Sequence, residues 1–560
     1  MPPKKRKQAA AAATADELHL APSTVALLGW LSECGTEGLD QLSVRPTADG
    51  LGVFAKRSFS PGDRIASLPQ RCVLSARAAE DSELGRAVRT AASAMGPTCE
   101  ALCTEEVMLW VYMAVGRVDP AHPWHAYLAS LPATSPEPAC WPQELRDALA
   151  ATPVGASVGA AREAVQVAFD GLVGRLRQRL PELVPEGALD DVNALLWARG
   201  VFRSRAFPTK LLAEAAGANG ARLAAEQLLA DEEDATAADG APTVAGTAET
   251  WGAAAGVLLP LFDLLNHRPS TRIGWVATPE RVEFVSDEEV RKGSELFNNY
   301  GARPNEELLF SHGFALPDNP HDATTLVLAR APPPAATAGS VVAAERRGFR
   351  IRRQESGGVP LELLQAMAAA AAAAAGETAA PAEGKGEAEV EGGGQGEGGG
   401  QGEGGGQGEG GGEEEAAPVE VGPEELEMLL ATLQQRLRPL LPTRAADEAL
   451  VAVAREAAAP LAKKQKQKKK QKAPVKAAGG EEQVQEQEQE QEDPRRTYVA
   501  CYRQGLREVL EGAIEWTEQL LGGAEGEEGE EGEEGEEGEE GEEGEEGEEG
   551  EEGEDEAGRD

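Results

Sequence analysis

The chain has 560 residues, with 97 Asp and Glu against 53 Lys and Arg and a formal net charge of −44. The excess is localised: Glu525–Asp560 is a Glu-Glu-Gly repeat with 23 acids and one arginine, and Gly376–Glu420 holds 12 acids and one lysine. The remaining chain has the charge balance of an ordinary globular protein, and it contains no apolar run long enough for a membrane helix.

In chain order, residues 1–22 are polar and alanine-rich and are expected to be disordered. Pro3–Lys7 is a basic run of nuclear-import type, and no leucine-rich core follows it, so a secretory signal is excluded. Six cysteines in so long a chain point to a reducing compartment and buried free thiols. Gly50–Phe59, Arg64–Leu68 and Arg71–Leu74 read as strands, with Pro61-Gly62-Asp63 as a turn. Thr104 is placed to cap a helix with Glu105 and Glu106 in its first turn and Val107, Trp110, Val111 and Ala114 on its apolar face. Helical patterns recur at Leu145–Leu149, Arg162–Leu180 and Asp190–Phe202. Gly217–Thr250 is rich in small and acidic residues and reads as a surface insertion.

Strands return at Arg272–Val276 and Arg281–Val285, joined as a hairpin, and at Glu295–Asn299. Pro304 starts a short helix that Gly313 is suited to terminate. Beyond Ala331 the pattern is mostly helical. Leu426, Leu429, Leu430, Leu433 and Leu437 form one stripe; Leu506, Val509, Leu510, Ile514 and Leu520 form another. The 376–420 repeat and the Lys/Gln and Gln/Glu runs of 463–492 have too little apolar surface to offset the entropy of ordering, and 523–560 reads as a disordered tail. Strands, a helical block and strands again make this an α+β chain rather than a doubly wound α/β one.

Several chemistries are excluded by motif. There is no GxxxxGK[ST], HExxH or GxSxG, and Gly50-Leu51-Gly52 opens no helix. His122 and His125 have no third ligand nearby, so packing is the better reading than metal. Three segments remain. Leu258–His267 is an apolar run ending in Asp263, Asn266 and His267, polar groups that need partners if buried. Trp197–Phe207 ends a helix on Arg205. Gly293–Phe314 places Tyr300 at a strand end just before Gly301.

Gly50–Ala55, Trp197–Phe207, Asp263–His267 and Tyr300–Phe314 stand in the order and spacing of SET-domain protein methyltransferases. The chain resembles the branch typified by the Rubisco large-subunit lysine methyltransferase, whose SET domain is split by a helical insertion and followed by a helical substrate-binding domain. The resemblance covers about Thr24–Leu521 apart from the insertions. It implies a SET domain over 23–320 with an insertion at about 111–255, and a helical domain over 321–522. It also implies S-adenosylmethionine as methyl donor, contacted by Gly50, Leu51, Gly52, Val53, Arg205, Asp263, Asn266, His267 and Tyr300, with side chains excluded at the glycines. Tyr300 falls on the catalytic tyrosine, and Phe207, Tyr300 and Phe314 are expected at the substrate. Phe54 departs from relatives that carry arginine there.

The residue types suit methyl transfer to an amine. A lysine amine, with an ordinary pKa of about 10.4, must be neutral to attack, and a narrow aromatic channel disfavours its ammonium form. The expected substrate is a lysine of a non-histone protein, in a basic segment that the acidic tail would attract. The protein is expected to be a monomer of the nucleus or cytoplasm that binds neither membrane nor nucleic acid. Histidine methylation is a variant, disfavoured because Ala206-Phe207 follow Arg205 as in lysine-type members. A catalytically silent scaffold and a tail acting as a sink for basic partners are the alternatives from other classes.

Overall fold

A computed structural model describes residues 20–47, 50–212, 221–224, 256–330, 345–353, 358–375, 421–458 and 493–527. The insertion read at 217–250 falls mostly outside these residues. The two low-complexity stretches and all but the first residues of the acidic tail lie outside them as well.

The fold is mixed α+β. It opens with α1 (Pro22–Glu33), a helix the sequence did not announce because it lacks a side-chain cap. Strands β1 (Leu42–Thr47), β2 (Gly50–Ala55), β3 (Arg64–Pro69) and β4 (Leu74–Ser75) follow. Arg71 and Cys72, expected in a strand, instead form a short 3-10 turn after Pro69, and the strand begins only at Leu74. A helical block then comprises α2 (Ala76–Glu80), α3 (Glu83–Met95), α4 (Pro97–Leu102), α5 (Glu105–Val118), α6 (His125–Leu128), α7 (Gln143–Asp147), α8 (Pro153–Gly171), α9 (Leu176–Arg179) and α10 (Val192–Arg205).

Thr104 caps α5, its hydroxyl accepting from the Val107 amide at 3.2 Å. Every residue from Val107 to Gly116 is buried, not only the stripe read from periodicity, because α5 runs through the middle of the block between α2, α6 and α10. Helix α8 starts nine residues earlier than the apolar pattern suggested, where Thr152 caps it and Pro153 fills its first position. It stops at Gly171, where a Cβ would lie 2.2 Å from Leu102 Cδ1.

The remaining strands of this part of the chain are β5 (Ala206–Pro208), β6 (Ala221–Ala224), β7 (Gly256–Leu258), β8 (Asn266–His267), β9 (Ile273–Ala277), β10 (Arg281–Ser286) and β11 (Glu295–Asn298). They form three small sheets of order β1-β2-β11-β8, β3-β10-β9-β6 and β4-β7-β5. The decisive pairing is parallel: β8 and β11 align Phe297 with Asn266 and Asn298 with His267. Residues about thirty positions apart in sequence are thereby brought side by side. A short helix α11 (Asn305–Glu307) continues into a π-turn over Leu308–His312, which Gly313 ends at φ +75°. A Cβ on Gly313 would also lie 2.0 Å from the Pro136 carbonyl oxygen.

The C-terminal region begins with a hairpin of β12 (Ala323–Arg330) and β13 (Glu345–Arg352), where a helical pattern was expected. On β13 burial alternates, with Phe349 and Ile351 buried and Arg350 and Arg352 less so, while Ala323 to Leu326 of β12 are buried throughout. Helices α12 (Leu361–Ala375), α13 (Pro423–Leu437), α14 (Arg444–Ala458) and α15 (Pro494–Glu527) complete it. On α13, Leu426, Leu429 and Leu433 are buried, while Leu430 and Leu437 are half-buried. On α15 the stripe fails at Leu520, which is 41% exposed, and the helix extends five residues into the segment read as tail. Buried Asp447 ties α14 to α15 through Arg503 and Arg507, the latter at 2.7 Å.

Two buried carboxyls lie where the halves meet. Glu306 accepts from Thr324 Oγ1 at 3.1 Å, and Asp322 accepts from the Asn305 amide at 2.8 Å. Burial pushes each up to about 7. An acid whose folded pKa is raised binds more protons folded than unfolded, so its favourable contribution is complete below the unfolded value and is lost as pH rises through 7. Glu306→Gln should therefore flatten the fall in stability between about pH 4.5 and 7, and raise stability at pH 8 by up to about 3 kcal/mol. Urea denaturation across that range is the check.

Candidate active site

A cavity of about 460 Å³ opens between α1, β2 and the segment leading into β8. That is within the ordinary range for a small-molecule site. Gly50, Leu51, Arg205, Asp263 and Asn266 line it, so five of the residues expected at the donor share one wall. Tyr127 and the start of α1, with Ser23, Thr24 and Leu27, line it as well. Neither Tyr127 nor α1 was assigned a role from sequence; an aromatic at the start of the helical block was the one available signal.

The two glycines meet different constraints within the protein. Gly50 has φ +115° and open space where a Cβ would stand, so glycine is needed there for the backbone conformation. At Gly52 the protein itself crowds a side chain: a Cβ would lie 2.5 Å from Glu295 Oε1 and 2.8 Å from Thr47 Cγ2. Val53 points into the core, 1% exposed, and does not face the cavity. Glu295, missed from sequence, accepts from Asn266 Nδ2 at 2.8 Å, while the same amide reaches the Leu51 carbonyl at 3.3 Å. Both amide protons are thus spent inside the protein, and Asn266 Oδ1 is the group left for a ligand. Gly52→Ala should displace Glu295 and release Asn266. S-adenosylhomocysteine should then bind on the order of tenfold more weakly by calorimetry.

Arg205 ends α10 and donates from Nη1 to the Asp263 carbonyl at 2.8 Å and to Asp263 Oδ2 at 3.1 Å. The Tyr127 hydroxyl donates to the same Oδ2 at 2.9 Å. Burial would depress the Arg205 pKa, but the Asp263 carboxylate outweighs it and keeps the guanidinium charged. Burial raises the Asp263 carboxyl above the usual range, against the pull of Arg205 and Tyr127. A charged guanidinium on the wall of a cavity is a ready partner for a carboxylate.

Tyr300 stands two residues past the end of β11. Its amide donates to His267 Nδ1 at 3.1 Å and its hydroxyl donates to the Leu265 carbonyl at 3.2 Å. Its ring stacks on His267 at 4.8 Å and 20°, and lies 4.7 Å from His312 and 6.5 Å from Phe314. Burial pushes the Tyr300 pKa up to about 12 and lowers His267 to about 4. At neutral pH Tyr300 is therefore a phenol that can donate, and His267 is uncharged. Phe314 thus joins Tyr300 as expected, but Phe207 does not. It is buried on β5, edge-on to Trp275 at 5.2 Å, and forms part of the core. Arg45 covers the Phe54 ring at 5.1 Å. His122 packs against Tyr112 at 4.4 Å, and His125 Nδ1 meets the Gly116 carbonyl at 3.0 Å.

The family profile described as the SET domain matches residues 50–301, a span that begins at the cavity glycine and ends one residue past Tyr300. Residues 50–301 are thus similar to a SET domain. The chain is similar to ribosomal lysine N-methyltransferase set10 of Schizosaccharomyces pombe, 51% identical over 76 residues, covering 13% of this chain and 14% of that one. It is also similar to SET domain-containing protein 4 of Mus musculus, 26% identical over 301 residues, covering 53% and 59%. These matches span less than two thirds of the relatives' own length. Other relatives are named as N-lysine and as actin-histidine methyltransferases. The fold matches a solved structure of the SET domain of LSMT bound to lysine and AdoHcy, with a TM-score of 0.52 and 16% identity, covering 90% of this chain and 92% of that one. The fold also matches a solved structure of Rubisco LSMT bound to AdoMet, with a TM-score of 0.51 and 17% identity, covering 92% of this chain and 98% of that one. Among the described residues, no helix is long and apolar enough to cross a membrane.

Proposed function

We propose that this protein is an S-adenosylmethionine-dependent protein-lysine N-methyltransferase. The observation that carries the reading is the adjacency of two features. One is a cavity walled by Gly50, Leu51, Arg205, Asp263 and Asn266. The other is a buried phenol, Tyr300, whose hydroxyl is fixed on the carbonyl of Leu265, next in sequence to Asn266.

The cavity fits the donor by size and by its polar groups. Arg205 would hold the donor's carboxylate, Asn266 Oδ1 would accept from it, and the backbone at Gly50 and Leu51 would lie against it. S-adenosylmethionine supplies a methyl group on a sulfonium. The protein supplies position and a dry surface. Tyr300, His267, His312 and Phe314 form a cluster of rings that disfavours an ammonium and so favours the neutral amine. The Tyr300 hydroxyl, donating to Leu265, keeps its lone pairs free to accept from the amine. Orientation of this kind can contribute about 7–11 kcal/mol to a two-reactant step. Because Tyr300 is a phenol at neutral pH, it orients the amine and is not the base.

The test is transfer of labelled methyl groups by purified protein into an extract of its own cells, with mass-spectrometric identification of the modified residue. Methyllysine is expected. Label found on histidine would instead favour the actin-histidine-type activity of some relatives. No transfer by a protein that binds S-adenosylhomocysteine would overturn the reading in favour of a scaffold.

A further inference from the structure

Two of the six cysteines meet. Cys34 follows α1 directly, and Cys72 ends the 3-10 turn between β3 and β4. The segment after α1 is laid along β3: the Glu37 amide donates to the Ser67 carbonyl at 2.9 Å, and the Ser67 amide donates back to the Glu37 carbonyl at 3.1 Å. Two arginines hold this seam. Arg71 donates from Nη2 to the Cys34 carbonyl, while Arg281 Nη2 donates to the Gly35 carbonyl at 3.0 Å and the Ser67 carbonyl at 2.8 Å. At the seam the fully buried Cys72 thiol is hydrogen-bonded to the thiol of Cys34, which is only half-buried. Other thiols have other company: Cys99 Sγ meets the Gly171 carbonyl at 3.4 Å, and Cys140 is hydrogen-bonded to Ser135. Two thiols in contact, one sealed and one reachable, form a couple that a soluble disulfide can oxidise in two steps. Helix α1 gives the couple its place in the fold: its start, with Ser23, Thr24 and Leu27, lines the cavity, and its end carries Cys34.

We propose that Cys34 and Cys72 are a reversible redox modification site: a soluble disulfide of the glutathione class oxidises them to a disulfide that fastens the end of α1 to the turn after β3. In the first step the Cys34 thiolate attacks one sulfur of glutathione disulfide; a mixed disulfide forms on Cys34 and one glutathione leaves as thiolate. In the second, the Cys72 sulfur loses its proton and attacks the Cys34 sulfur. The protein disulfide forms, and the second glutathione leaves as thiolate and takes up a proton. Two protein thiols thus give up two electrons and two protons, and one glutathione disulfide becomes two glutathione thiols. Burial, with the Cys34 thiol beside it, pushes the Cys72 thiol up to about 12 against the pull of Arg71 and Arg281. Only the thiolate attacks, so the second step is the slow one and should speed up about tenfold per pH unit between pH 7 and 9. The site does not depend on the methyl-transfer reading above.

The experiment incubates the folded full-length protein with glutathione disulfide, quenches in acid, alkylates the remaining thiols and maps the peptides by mass spectrometry. A peptide crosslinked through Cys34 and Cys72 should accumulate, faster at pH 9 than at pH 7, and dithiothreitol should reverse it. Cys72→Ser should stop with glutathione on Cys34. Cys34→Ser should leave Cys72 unmodified, because that thiol is sealed from solvent. In the oxidised wild type, hydrogen exchange at the α1 amides should slow at least several-fold, since the end of the helix is then tied down. Glutathione that stays on Cys34 of the wild type at pH 9 with no crosslink overturns the proposal. So do crosslinks spread over the other cysteines, and so does glutathione on Cys72 in Cys34→Ser, which would show a reachable thiol. A crosslink that leaves α1 exchange unchanged removes the fastening of the helix and overturns the proposal as stated.

Discussion

Tyr300→Phe should reduce methyl transfer on the order of 100-fold or more, while leaving S-adenosylhomocysteine affinity close to that of the wild type. The ring of the variant keeps its stacking on His267 and its place beside His312, because neither contact uses the hydroxyl. The backbone amide still donates to His267 Nδ1. What disappears is the hydroxyl that donates to the Leu265 carbonyl and offers its lone pairs beside the cavity. The loss should therefore fall on kcat, with little change in donor binding. Single-turnover transfer and calorimetry on the same preparation separate the two. A fall in donor affinity equal to the fall in rate would show instead that Tyr300 shapes the cavity. Full activity in the variant would remove Tyr300 from the chemistry altogether.

The same residues show what a sequence can disclose. Asn266-His267 and Tyr300-Gly301 stood out because polar groups ended apolar runs, and the parallel pairing of β8 with β11 brings them together. The partners that hold them were less visible. Glu295 reads as one acid at a strand start, and nothing local says that its carboxylate will receive an amide from thirty residues earlier. His312 sits in a π-turn, a conformation without a periodic signature. Phe207 misled in the opposite direction: an aromatic just after Arg205 looked like substrate lining, yet strand β5 directs it onto Trp275. Helix α1 was missed because its first turn has no capping side chain, although that turn lines the cavity. Local patterns marked α5 and α10 well, since a threonine cap and an aspartate cap fix their starts. Long-range burial, as at Leu520, has no such local mark.

Asp263→Ala should destabilise the fold by about 3–5 kcal/mol, the largest loss expected from a single change at the site. The Asp263 side chain is fully shielded from solvent, and Arg205 is 19% exposed. Removing the carboxylate leaves a guanidinium and the Tyr127 hydroxyl without their shared acceptor, in a place where water compensates poorly. Asp263→Asn separates the two contributions. Its amide oxygen can still accept from Tyr127, but it carries no charge for Arg205, so its cost should fall between wild type and alanine. Urea denaturation midpoints give the order directly. S-adenosylhomocysteine should recover more of the lost stability in Asp263→Asn than in wild type, because its carboxylate would then be the anion nearest Arg205, where the wild type already supplies one. Equal stabilisation of both proteins by the ligand would mean that Arg205 answers only to Asp263 and takes no part in holding the donor.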